Sequence, residues 1–147
     1  MSLVERINTD LTSAMKTQDT GRTAVLRLIK TSMTNERIKL GKELSDDDVL
    51  KLLQKEAKQR RDSIDAYNSG GRGDLAAEEE AELILINEYL PKQLHESELF
   101  NIIDQVIADL GATELSQAGL VIGKVMGLVT GRADGGLVSR LVKERLS

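Results

Sequence analysis

The chain has 147 residues, a net charge of −4, no cysteine and a single histidine, His95. Without thiols it cannot form disulfides, thiolate zinc sites or cysteine nucleophiles, and one imidazole cannot build a multi-histidine metal centre. Hydrophobic residues at 40% and charged residues at 30% match a folded protein, and only three aromatics, Tyr67, Tyr89 and Phe100, leave no stacking platform for single-stranded bases.

Apolar residues recur at helical spacing through nearly the whole chain, and no stretch alternates as a strand would. Ser2, with Glu5 three residues on, marks a capping box for a first helix over Leu3–Lys16, with Leu3, Ile7, Leu11 and Ala14 on one face. Asp19 and Thr20 cap a second helix that turns Val25, Ile29 and Met33 inward and ends near Gly41. Ser45 caps a third, whose first turn holds Asp46, Asp47 and Asp48 against the positive end of the helix macrodipole. Its inward stripe is Val49, Leu53, Ala57, Ile64 and Tyr67. Gly70, Gly71 and Gly73 break the chain before a fourth helix that runs to about Leu90, with Leu83, Ile86 and Tyr89 as core.

Pro91 should end that helix, because the residue before a proline avoids helical backbone. Beyond it, His95 takes a cap position, with Glu98 three residues on. Leu99, Ile102, Ile103, Val106 and Ile107 make a fifth amphipathic helix closed by Gly111. A sixth spans Ser116–Thr130, and Asp134 caps a seventh that buries Leu137, Val138, Leu141 and Val142. The expectation is an all-α protein: a four-helix N-terminal part, residues 1–91, then a small three-helix C-terminal domain, residues 92–147. No apolar run reaches the roughly 18 residues of a membrane span. Met1–Arg6 lacks a signal-peptide layout, so a cytoplasmic protein with no membrane contact is expected.

Candidate sites are few. The three aspartates and the run Glu78, Glu79, Glu80 and Glu82 are solvated faces, since consecutive carboxylates fan around a helix and cannot share one metal. Lys55 and Lys58, with Lys51 before them and Arg60 and Arg61 after, make a basic stripe on the third helix; with Glu56, Asp62 and Asp65 close by it reads first as a solvated face, and otherwise as one that meets an RNA backbone. Arg27, Lys30 and Arg37 on the second helix add to the odds of a shared basic surface. Gly119, Gly123, Gly127 and Gly131 recur every four residues. They are no phosphate loop, because Ala118 stands where the first glycine belongs and Val125 replaces the Ser or Thr. Read as helical, they cost roughly 1 kcal/mol each relative to Ala, which close packing against another helix, or close approach of a partner, must offset. At Gly131–Gly136, Asp134 caps a helix whose amides, with Arg132 beside them, offer a generic phosphate site. No nucleophile, base and anion hole come together, so no catalytic residue, metal or cofactor is assigned.

Three blocks are together specific: Lys55–Ile64, Tyr89–Leu94, and Gly123–Gly127 continued by Gly131–Gly135 and Leu137-Val138. In that order and spacing the whole chain resembles the YqeY family of small bacterial proteins. Its last third also resembles the tail domain of the B subunit of glutamine-dependent aminoacyl-tRNA amidotransferase (GatB), a mobile helical module that contacts tRNA. The resemblance implies a link to carbon–nitrogen ligase activity with glutamine as amido-N-donor, but through the non-catalytic tail. The amidase and ATP-using parts of that enzyme have no counterpart here. Gly123, Lys124, Val125, Met126, Gly131, Arg132, Ala133, Asp134, Leu137, Val138 and Lys143 match the tail's motif. Among them Lys124, Arg132 and Lys143 have the chemistry to meet phosphate. His95 departs from the Ser or Thr common in the family, and imidazole caps a helix more weakly. The expected function is a tRNA-binding accessory module. Lys124, Arg132, Arg140 and Lys143 would form one contact surface, extended by Lys55, Lys58, Arg60 and Arg61. Its partners would be tRNA and either amidotransferase subunits or another protein. A protein–protein adaptor using the glycine stripe or an interdomain groove is the rival.

Overall fold

The computed structural model describes residues 1–147 and is all-α, with seven helices and no strand. The helices are α1 (Leu3–Lys16), α2 (Thr20–Leu40), α3 (Asp46–Ser69), α4 (Gly73–Asn87), α5 (Glu96–Leu110), α6 (Ala118–Val129) and α7 (Gly135–Leu146). No helix is long and apolar enough to cross a membrane.

Helix ends follow from local hydrogen bonding. The Ser2 hydroxyl accepts from the Glu5 amide at 3.1 Å, and the Asp19 carboxylate from the Arg22 amide at 3.1 Å. Ser45 and Asp48 complete a reciprocal box, with Asp48 N–H on the Ser45 hydroxyl at 3.1 Å and Ser45 N–H on the Asp48 carboxylate at 2.9 Å. The Ser45 amide first, and the Ser45 hydroxyl second, hold the Asp48 carboxyl below its ordinary value. Asp46 reaches across the chain and accepts from the Leu3 amide at 2.9 Å, so one acid of the run caps α1 and another caps α3. Gly41 and Gly111 end α2 and α5 in the left-handed conformation that glycine adopts at little cost. At α5, the Glu98 carboxylate accepts from the His95 amide at 3.2 Å.

Two boundaries differ from expectation. α4 stops at Asn87, and the amides of Glu88, Tyr89 and Leu90 bond three residues back at 3.1–3.3 Å, a tighter turn that leads into Pro91. α6 starts at Ala118, because the Gln117 amide oxygen accepts from Thr113 N–H (2.7 Å) and Glu114 N–H (3.0 Å). Those bonds hold Leu115–Gln117 as a 3-10 turn.

The chain divides into two compact units, Met1–Leu90 and Pro91–Ser147. In the first, Ile7, Leu26, Ile29, Val49, Leu53 and Ile86 are fully buried, and α3 pairs most extensively with α4. Ile64 and Tyr67 are only partly buried, since the second half of α3 leaves this core. Buried Tyr89 donates its hydroxyl to the Asp10 carboxylate at 2.6 Å, while the Arg6 guanidinium lies 4.6 Å from the ring centre. In the second unit, Leu99, Ile103, Val121, Val125, Val129, Val138, Leu141 and Val142 form the core of α5, α6 and α7. No polar or charged residue is buried in either unit.

Candidate nucleic-acid interface

The C-terminal unit is built around a clamp between two of the sequence blocks. The Gln93 side-chain amide donates to the carbonyls of Pro91 at 2.9 Å and Gly131 at 2.7 Å, and Leu94 N–H donates to the Arg132 carbonyl at 2.8 Å. Gly131 makes the turn possible with a φ of +81°. Arg132 is thereby fixed through its backbone, with its side chain half-buried. The Asp134 carboxylate accepts from Leu137 N–H at 3.2 Å, and a Cβ on Gly136 would come within 3.1 Å of it. The Asp134 carboxylate already takes the Leu137 amide at the start of α7, so of the two readings the N-cap holds and the phosphate site is corrected: an incoming anion would meet a like charge.

The four C-terminal cations do not form one surface. Lys124 is exposed on α6, in a groove shared with Asn101, Gln105 and Asp109 of α5. Arg140 is held between Glu96 and Glu144, each at 2.9 Å. Arg145 pairs with Asp104 at 3.1 Å and lies 4.2 Å from the centre of the Phe100 ring. Residues 101, 105 and 109 form one row along α5, and residues 96, 100 and 104 form another on a different side of the same helix. Lys124 and Arg140 therefore flank α5 from different sides. Lys143 is exposed on α7 and has no ion pair.

The α3 stripe is also divided. Lys55, Lys58 and Arg61 are exposed. Arg60 turns the other way, with its side chain 12% exposed, and pairs with Glu56 and with Glu82, the latter at 3.4 Å. Glu56 in turn accepts from the Ser32 hydroxyl at 3.1 Å. Burial raises the Glu82 carboxyl above its ordinary value, assisted by the nearby Glu79 charge. Arg60 is thus a structural tie between α3 and α4, and its reading as an RNA contact is corrected.

The glycines are corrected in a different sense. Gly119, Gly123 and Gly127 lie on the exposed side of α6, and a Cβ added to any of them meets nothing within 4 Å. They are not close-packing residues within this chain. Gly131 lies beyond the end of α6 and is buried in the clamp turn. Beside the open glycines stand Leu120 and Leu128, both more than half exposed, and a groove of about 460 Å³ lined by Ile102, Val106, Leu110 and Leu128 as well as Lys124. This groove escaped the sequence reading, although leucines interleaved with glycines along one helix were its available signal.

What these features define is a small helical protein carrying exposed cations, an open glycine face and an apolar groove. The family model for Yqey-like proteins matches residues 4–146, and the chain belongs to that family. It is 30% identical over 146 residues to "Altered inheritance of mitochondria protein 41, mitochondrial" of Pyrenophora tritici-repentis, covering 97% of this chain and 80% of that protein. The protein of the same name from Saccharomyces cerevisiae strain YJM789 is 30% identical over 128 residues, covering 84% and 68%. The Lachancea thermotolerans protein of that name is 33% identical over 116 residues, covering 78% and 60%. These relatives are fungal proteins named as mitochondrial, so kinship reaches beyond the small bacterial proteins and cytoplasm expected from the sequence.

Proposed function

We propose that the chain is a tRNA-binding accessory module of two helical domains, residues 1–91 and 92–147, tied to the glutamine-dependent amidotransferase system or to tRNA handling more broadly. The observation that carries this reading is the outer face of α6. Lys124 stands exposed and unpaired beside three glycines whose open surface lets a partner backbone come close. Lys143, Lys55, Lys58 and Arg61 add exposed charge. Tyr89 is buried, Phe100 is covered by Arg145 and Tyr67 stands alone and partly buried, so recognition runs through backbone and shape rather than a row of stacked rings. On this reading any amide-forming chemistry belongs to partner subunits. The test is binding of bulk tRNA by the purified chain across a salt series, with duplex DNA as control. Saturable binding that exceeds DNA binding and weakens with salt is expected, with a shallower salt slope after Lys124→Ala/Arg132→Ala. An unchanged slope removes these residues from the site, and no binding at low salt removes the function.

The α5–α6 groove favours a second reading, a protein adaptor that receives a leucine-bearing helix from a partner. Under it, Leu128→Asp abolishes capture of a nuclease-resistant protein partner and leaves tRNA binding at its wild-type level.

A further inference from the structure

We infer that the outward face of α2 is a docking surface for the sugar–phosphate backbone of a folded RNA. The inference rests on the RNA-binding reading above and adds a site in the N-terminal unit. α2 carries five basic residues against one acid, Glu36, in a chain whose net charge is −4. Thr23, Arg27, Lys30, Thr34 and Arg37 follow one another at steps of four and three, which puts them on one line of the helix. At a rise of 1.5 Å per residue that line is roughly 21 Å long. Arg27, Lys30, Thr34 and Arg37 are exposed, and Arg27 and Lys30 have no ion pair. Only Arg37, at the far end, pairs with a carboxylate, Glu43 at 3.4 Å.

The surface along this line is concave. One depression of about 480 Å³ is bordered by Thr20, Thr23 and Arg27. The next, about 390 Å³, is bordered by Arg27, Lys30, Thr31, Thr34 and Asn35. The third, about 210 Å³, is bordered by Lys30, Thr34 and Arg37 together with Asn8 and Glu43. Arg27 borders the first two and Lys30 the last two, so a cation stands between each neighbouring pair of depressions. By contrast, every charged residue of α4 is an acid. The unit thus segregates its charge by helix, which orients an approaching polyanion toward α2.

The chemistry between the cations selects the occupant. Threonine hydroxyls and the Asn35 amide give directed hydrogen bonds to phosphate oxygens and to ribose 2′-hydroxyls. The line itself carries no apolar side chain, but Met15 and Ile38 stand exposed beside it, so an anionic membrane is the rival surface that the test includes.

The experiment compares the full-length wild type with Arg27→Ala/Lys30→Ala and with Lys124→Ala/Arg132→Ala, using bulk tRNA in a salt series. Duplex DNA and phosphatidylserine vesicles serve as the other probes. The α2 variant is expected to keep its helix content. It should bind tRNA at least tenfold more weakly at low salt, with the slope of log K against log salt shallower by roughly 1.5–2 as two phosphate contacts are lost. A wild-type curve for that variant, with the loss confined to the C-terminal pair, overturns this inference and leaves the RNA reading standing. Equal binding of duplex DNA, or binding of vesicles in place of tRNA, overturns the assignment to RNA. A wild type that binds no tRNA overturns both.

Discussion

Arg60 and Tyr89 show how one side chain is spoken for by its surroundings. Sequence placed Arg60 in a basic run, and helical geometry alone could not tell which members of the run face a neighbouring helix. Its guanidinium is taken by Glu56 and Glu82 in a nearly closed environment. Arg60→Ala would leave the Glu56 carboxylate, 16% exposed, with Ser32 as its remaining partner. The expected loss is about 2 kcal/mol in urea denaturation, with the tRNA salt slope unchanged. A change in slope without a stability loss would return Arg60 to the interface. At Tyr89, burial first and the Asp10 hydrogen bond second push the phenol well above its ordinary pKa of 10.0. The fold therefore favours the neutral phenol. Its contribution is fully present below pH 10 and is lost as pH rises past the ordinary value, where the unfolded chain ionises first. Tyr89→Phe should cost about 1 kcal/mol near neutrality through the missing hydrogen bond and should flatten the alkaline fall in Tm. An alkaline limb identical to wild type would contradict this account.

At the scale of elements, the glycines of α6 and its following turn give opposite signs for the same substitution. Gly123 is helical, exposed and open at its Cβ position, so Gly123→Ala is expected to stabilise by up to about 1 kcal/mol. Gly131 is buried with φ +81°, and its carbonyl accepts from Gln93, so Gly131→Ala should destabilise by about 1 kcal/mol or more. Thermal melts of the two variants check both signs. If Gly123→Ala also weakens tRNA or protein capture while raising Tm, the open face is kept open for a partner. The helices themselves were legible because their ends are written locally, in Ser45 with Asp48, in Asp19 and in Gly111. The start of α6 was not, because it depends on Gln117 folding back on two amides, a choice that hydrophobic spacing does not record. The candidate site was less legible still. Spacing correctly put Lys55 and Lys58 on one exposed row, but only the packing of α5 against α6 and α7 separates Lys124 from Arg140.

At the scale of the whole molecule, each unit encloses its own apolar cluster, and that makes independent stability testable for the smaller one. Pro91–Ser147 has thirteen buried apolar residues and no buried polar one. The Gln93 and Leu94 bonds to Gly131 and Arg132 tie its first residues to the turn between α6 and α7. Nothing in this core needs a disulfide or a buried ion pair. Expressed alone, the segment is expected to be helical and to unfold cooperatively in urea, but from a low reserve, since a core of this size supplies only about 3–5 kcal/mol. Leu141 is fully buried at the centre of α7, and truncating such a leucine to alanine costs roughly 3 kcal/mol. Leu141→Ala should therefore leave the isolated segment with a reserve of no more than about 2 kcal/mol, and move its urea midpoint close to zero denaturant. Leu128→Ser, on the exposed groove wall, should change its midpoint by no more than about 0.5 kcal/mol. A gradual, non-cooperative melt of the unaltered segment would refute an autonomous core. Equal sensitivity at positions 128 and 141 would mean that the groove wall is part of the core rather than a surface left free for a partner.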